Sequence, residues 1–189
     1  MKADSGRSTD NLSKIGVRRA PDQPGGFPAE AAGGHFDIRI ARDGTWFYRG
    51  SPINRKPLVK LFSTVIQRDD SDGFWLVTPA ERGRIQVEDA PFTAVELSRE
   101  GDGRDQILRL RTNVDDWVEL GPEHPIRVAL DPDSGEPRPY ILVRDRLEAL
   151  IVRSLFYELV ELAVETERGG RPCLGLWSKG AFFSLGDLT

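Results

Sequence analysis

The chain has 189 residues, enough for one good core or two small ones, and its 39% hydrophobic and 30% charged residues are ordinary for a globular protein in water. A formal net charge of -4 argues against a general nucleic-acid binder, whose affinity rests on many phosphate-neutralising cations, and no apolar run approaches the roughly 18 residues of a membrane span. The single cysteine, Cys173, excludes an internal disulfide and a thiolate metal cage; within Cys173-Leu174-Gly175-Leu176-Trp177 it reads as a small buried hydrophobe.

Residues 1–34 are polar and rich in Gly and Pro, a composition that buries too little apolar surface to offset chain entropy, so a flexible tail is expected, with room for a short helix after Ser8 or Asp10. The first ten residues have no apolar core behind their first charge, which does not fit a secretory signal; a cytoplasmic protein is expected.

From His35 onward, turn signals recur at strand-like spacing. They are Asp43-Gly44, Asp72-Gly73, Asp102-Gly103, Ser134-Gly135 and Lys179-Gly180, each flanked by β-branched, aromatic or alternating residues. Two segments break this hairpin pattern. Leu58, Leu61, Phe62, Val65 and Ile66 recur with helical period, and so do Leu147, Leu150, Ile151, Leu155, Leu159 and Leu162 in a longer segment.

These pieces fall into two matching series. Ile38-Arg39-Ile40-Ala41 with its Asp-Gly turn answers to Ile126-Arg127-Val128-Ala129 with Ser134-Gly135, and the second strands are Trp46–Tyr48 and Tyr140–Val143. A helix follows in each, containing Leu61-Phe62 or Leu155-Phe156, and then a second hairpin: Phe74–Val77 with Ile85–Val87, or Leu174–Trp177 with Phe182–Leu185. Between the series lies an extra strand pair, Phe92–Leu97 and Ile107–Arg111, which should extend one of the sheets. The expected division is therefore a first α+β subdomain over residues 35–112 and a second over 113–189.

Nucleotide-binding and hydrolase signatures fail residue by residue. Gly101-Asp102-Gly103 has no third glycine at the required place, no Gly-rich loop ends in Gly-Lys-Ser/Thr, and neither a Gly-x-Ser-x-Gly elbow nor a His-Glu-x-x-His pair occurs. Asp69-Asp70-Ser71-Asp72-Gly73 and Asp131-Pro132-Asp133 lack the twelfth-position Glu of a calcium loop and read as solvated turns. His35 and His124 are the only histidines, too few for a multi-histidine metal site; no metal or cofactor is expected.

Three places remain as candidates. The loop after Trp46-Phe47-Tyr48 carries Arg49, Arg55 and Lys56, with Lys60 on the helix it leads into. Cations at a helix N-terminus oppose the macrodipole, whereas a bound phosphate or carboxylate would be favoured by the dipole, by free backbone N–H groups and by these side chains together. The competing reading is neutralisation of the loop by Glu81, Glu88 or Asp89. His124, in the rigid corner Gly121-Pro122-Glu123-His124-Pro125, reads either as a structural tether or as a hydrogen-bonding or general-base group. The helical stripe through Leu155 and Leu159 would put Ser154 and Glu158 on an apolar face, where a carboxylate must be paired or reach a cavity, unless Glu158 slips out to water at the helix edge.

The strings Arg42-Asp43-Gly44-Thr45-Trp46-Phe47-Tyr48-Arg49-Gly50-Ser51-Pro52-Ile53, Val59-Lys60-Leu61-Phe62-Ser63, Leu76-Val77-Thr78-Pro79 and Val87-Glu88-Asp89-Ala90-Pro91-Phe92 resemble a bacterial family catalogued as a domain of unknown function. Thr112-Asn113, His124-Pro125, Pro139-Tyr140 and Phe156-Tyr157-Glu158-Leu159-Val160 carry the resemblance to the C-terminus. It implies a duplicated α+β architecture whose C-terminal half is superficially pleckstrin-homology-like, a ligand site between the halves and a part in signal transduction. No reaction comes with it.

The expectation is thus an α+β protein of two tandem, related subdomains, each hairpin-helix-hairpin with mainly antiparallel sheet. It is read as a non-enzymatic binding module for a small anionic molecule or a protein partner, with self-association left open. The expected binding surface is the first helix's N-terminus with Thr112, Asn113 and His124, and Glu158 at the junction. Two alternatives stand beside it. One is a hydrolase-like enzyme using His124 with a nearby carboxylate; the other is a scaffold contacting a partner through Phe74-Trp75 and through Trp177 with Phe182-Phe183.

Overall fold

The computed structural model describes residues 34–188, so the expected tail lies outside the described residues except for Gly34. The described residues divide into two compact units: residues 34–41 with 45–88, and residues 42–44 with 89–188.

In the first unit, β1 (Gly34–Ile40) alternates strictly, burying Phe36, Ile38 and Ile40. The Asp43-Gly44 turn leads into β2 (Trp46–Tyr48), and a second tight turn at Arg49-Gly50 leads into β3 (Ser51–Pro52). Both turn residues are left-handed, with φ of 48° and 76°, the backbone of a two-residue primed hairpin. Helix α1 (Lys56–Ser63) follows, then β4 (Ile66–Arg68), β5 (Phe74–Val77) and β6 (Arg82–Val87). These strands make one sheet in the order β3-β2-β1-β6-β5-β4, antiparallel throughout except where β1 runs parallel to β6. Helix α1 seats Phe62, 1% exposed, against the equally buried Trp46, their rings 6.2 Å apart and nearly parallel. Truncating such a buried ring costs about 3–5 kcal/mol, so this contact is what fastens the helix to the unit. The helical period read through Val65 and Ile66 ends earlier than expected, because Ile66 turns into β4 and pairs with Leu76.

The second unit has β7 (Phe92–Glu100), β8 (Ile107–Thr112), β9 (Trp117–Glu119), β10 (Ile126–Leu130), β11 (Pro137–Arg144) and β12 (Leu147–Ile151) in one sheet, ordered β10-β11-β12-β7-β8-β9, with β12 parallel to β7. Helix α2 (Arg153–Glu161) follows, then a three-stranded meander of β13 (Val164–Arg168), β14 (Arg171–Ser178) and β15 (Ala181–Asp187). The extra pair β7–β8 does extend a sheet, that of the second unit, so the expected division at 112/113 falls inside this unit, between β8 and β9.

The long second helix needs correcting. Leu147–Ile151 is strand β12, with Leu147, Ala149 and Ile151 buried and Glu148 and Leu150 half-buried between them. Period two and period 3.6 coincide at Leu147 and Ile151, and the segment is short, so the helical reading had no intervening residue to reject it. The Asp145-Arg146 turn, both residues at positive φ, precedes this strand without a glycine to announce it. Once α2 starts at Arg153 its inward face is Leu155 and Leu159, and Ser154 and Glu158 lie exposed. Cys173 is buried, as expected. No helix among the described residues is long and apolar enough to cross a membrane.

Candidate functional site

The basic loop of the first unit forms one wall of a groove. Arg49 N–H donates to the Asp37 carbonyl (3.0 Å) and Ile53 N–H to that of Trp46 (2.7 Å), so the segment between β2 and α1 is pinned at both ends. Arg55 occupies the N-cap, its carbonyl receiving the N–H groups of Leu58 (2.9 Å) and Val59 (3.2 Å). No side chain caps this end and no acid lies in the first turn. Pro57, within the first helical turn, has no N–H to leave unpaired and fixes a helical φ.

Between this loop and the helix lies a cleft of about 660 Å3, walled by Tyr48, Pro52, Ile53, Leu58, Leu61 and Phe62. Its polar rim is Ser51, Asn54 and Arg55. The Arg55 side chain is exposed and has neither hydrogen bond nor ion pair among the described residues. Two of the three expected neutralising acids are engaged elsewhere, Glu88 with Arg39 and Asp89 with Arg138, while no ion pair joins Glu81 to Arg55. Arg49, by contrast, places its guanidinium 5.1 Å over the Tyr48 ring. Arg49, Lys56 and Lys60 do not line the cleft, and both lysines have interactions of their own. Of the four expected cations, the cleft takes Arg55 alone.

The other four candidates lie in the second unit and have local structural roles or none. Thr112 is fully buried, its Oγ accepting the Asp116 N–H (3.1 Å) in the turn after β8. Asn113 takes the Thr93 N–H on Oδ1 (3.1 Å) and donates Nδ2 to the Gly44 carbonyl (3.2 Å). His124 donates from Nδ1 to the Leu142 carbonyl (3.1 Å), tying the proline-flanked corner to β11, and Gly121 and His124 form a bridge across that corner. Glu158 faces water.

Sequence reasoning missed a partly buried polar cluster in the second unit. The Tyr140 hydroxyl donates to Asp89 Oδ1 (2.8 Å), Arg138 pairs with Asp89 and, at 3.4 Å, with Asp131, and the Arg127 guanidinium lies 4.2 Å over the Tyr140 ring. Arg127 is held there by a two-pronged bond to Glu148, 2.6 Å on each arm. Burial first, and the Asp89 carboxylate second, push the Tyr140 phenol up to about 12. The sequence signal was the alternation Arg138-Pro139-Tyr140 opposite Arg127-Val128, legible only once β10 and β11 are paired in register.

Among the described residues no group of three His, Cys, Asp or Glu side chains gathers as a metal-ligand set.

The model of the DUF1285 N-terminal domain, a domain of unknown function, matches residues 29–90, and that of the DUF1285 C-terminal domain matches residues 91–185. Among solved structures, a DUF1285 family protein from Silicibacter pomeroyi is 51% identical, with a TM-score of 0.76 over 82% of this chain and 81% of its own. Another, from Shewanella baltica, is 26% identical, with a TM-score of 0.54 over 67% of this chain and 91% of its own. None of the curated proteins matches the chain.

Proposed function

The chain belongs to the DUF1285 family, and on that premise we propose that it is a non-enzymatic binding module for a small anionic ligand, seated in the groove beside α1. The carrying observation is an apolar cleft with one uncommitted guanidinium at its rim. Such a cleft favours a ligand with an apolar body, and Arg55 favours an acid on it. Apolar burial supplies affinity and the charge-assisted pair supplies orientation. A wholly polar anion would leave most of the wall unused. In this reading occupancy of the groove is the input to a signalling response.

We also read the two units as copies of one ancestral unit. Three strands, a helix and three strands occur twice: β1–β3, α1, β4–β6, and β10–β12, α2, β13–β15. In one copy β1 pairs with β6; in the other β10 packs against β15. Counting along the helices, Leu155 answers to Leu58 and Leu159 to Phe62, so the Leu-Phe correspondence read from sequence is shifted by three residues. The six strands β7–β12 followed by α2 support the superficial pleckstrin-homology likeness.

Calorimetric titration of the full chain with octanoate and with 1-octanol tests the function. Arg55→Gln should weaken octanoate binding by about 1–3 kcal/mol and leave octanol unaffected, while the unfolding midpoint barely moves. Equal affinity of the variant and the parent for octanoate, or equal binding of acid and alcohol by the parent, would remove the anion from the proposal.

A further inference from the structure

We propose that the second unit carries a ligand cleft of its own where β12 runs into α2, and that this cleft takes a small carboxylic acid with an aromatic body. It goes beyond the groove of α1, being built from other residues in the other unit. The cavity has a volume of about 390 Å3, inside the range of roughly 300–1,000 Å3 typical of small-molecule sites. Its floor and walls are apolar: Pro139 of β11, Leu150 and Ile151 of β12, Val152, and Phe156 and Tyr157 on the first two turns of α2. Two aromatic rings and a proline ring suit a flat body better than a flexible chain.

The charges fix which end of that body is polar. Three arginines, Arg42, Arg138 and Arg153, line the cavity against a single acid, Glu136. Arg138 is committed to Asp89 and Asp131. Arg153 is not so bound: it is 3.7 Å from Glu136, with the two side chains 72% and 62% exposed, and it donates from Nε to the Tyr157 hydroxyl at 2.9 Å. An ion pair this exposed contributes little and exchanges readily. An incoming carboxylate replaces Glu136 on Arg153, whose planar fork matches it, while the Tyr157 bond keeps the guanidinium aimed. Glu136 therefore acts as an internal competitor for the site.

The probe is 1-naphthoate, with naphthalene-1-methanol as its neutral counterpart, titrated into the isotopically labelled full chain and followed by amide chemical shifts. The acid should shift the amides of Val152, Phe156 and Tyr157 and bind more tightly than the alcohol. Arg153→Gln should weaken the acid by about tenfold or more, the span of a charge-assisted bond, with Arg55→Gln leaving these shifts unchanged. Glu136→Gln should tighten it by roughly threefold, a gain that a misfolded variant cannot produce. Shifts confined to residues 48–62 would place the probe in the groove of the first unit alone and overturn the second cleft. Unchanged affinity in Arg153→Gln, or weaker binding in Glu136→Gln, would overturn the assigned anchor and competitor.

Discussion

Replacing Tyr140 by Phe removes a single oxygen from a place where its absence can be followed by pH. The residue is 6% exposed and its hydroxyl is a donor to Asp89, whose side chain is 10% exposed. In the variant that carboxylate oxygen loses a donor in a site water barely reaches. The cost at neutral pH is about 1.5–3 kcal/mol, the range for a hydrogen bond to a charged partner. The phenol's shift sets the sign of the pH dependence. Its folded value is raised from 10 to about 12, so folding favours the protonated form. That contribution is fully present below pH 10 and is lost as pH climbs through 12. Desolvation of the phenolate is the largest cause of that rise and the Asp89 bond the second, so the bond accounts for part of it. Urea unfolding of parent and variant, followed by tryptophan fluorescence from pH 7 to pH 12, should show a gap that is constant to about pH 9.5 and closes towards pH 12. Other phenols and amines titrate there too, but equally in both proteins. A gap under about 0.5 kcal/mol at pH 7, or one unchanged at pH 12, would refute the hydroxyl–carboxylate bond as a contributor to the shift.

Gly44 has φ +84°, and a Cβ there would come within 2.7 Å of Asn113 Nδ2 and 3.0 Å of Thr93 Oγ1. Gly44→Ala should therefore cost about 2–4 kcal/mol by chemical denaturation, whereas Gly50→Ala, at φ +76° in open space, should cost only about 1 kcal/mol of backbone strain. Equal losses at the two positions would mean that crowding around Asn113 has no energetic weight. His124→Ala should lower stability by about 0.5–1.5 kcal/mol through the lost bond to Leu142, and leave octanoate titrations unchanged. A fall in octanoate affinity with the fold intact by circular dichroism would bring His124 into the binding site.

Much of the fold was legible because its turns carry their own chemistry. Asp43-Gly44, Asp72-Gly73, Ser134-Gly135 and Lys179-Gly180 each mark a hairpin, and the glycine in three of the four has a left-handed φ that other residues resist. Where a turn did without glycine, as at Asp145-Arg146, the strand behind it was absorbed into the neighbouring helix. Strand β13, Val-Glu-Thr-Glu-Arg, is polar on both faces and had no alternation to find. Strand β3 is two residues long and exposed, so its place was set by the tight turn before it. Arg55 was visible as a cation without a local acid. The cleft it borders was not, because Tyr48, Pro52, Leu58 and Phe62 become neighbours only after β2, β3 and α1 have packed. Glu158 reads from sequence either as buried at the junction or as out in water at the helix edge, and in α2 it is exposed.

Strand β1 lies against β6, the first and last strands of their unit, in the middle of a sheet. A ribosome delivers β6 after everything else in that unit, so the meander β1–β3 and the later β4–β6 can each form from near neighbours, yet remain two ribbons with open inner edges until residue 87 has emerged. The join between them is a parallel seam of high sequence separation, the kind of contact that sets a slow folding rate. Strand β12 meets β7 in the same way in the second unit. During synthesis each unit thus passes through a stage in which its central strands offer unpaired edges to any neighbouring nascent chain. Folding yield, more than final stability, is the quantity most exposed to substitutions along β1, β6, β7 and β12.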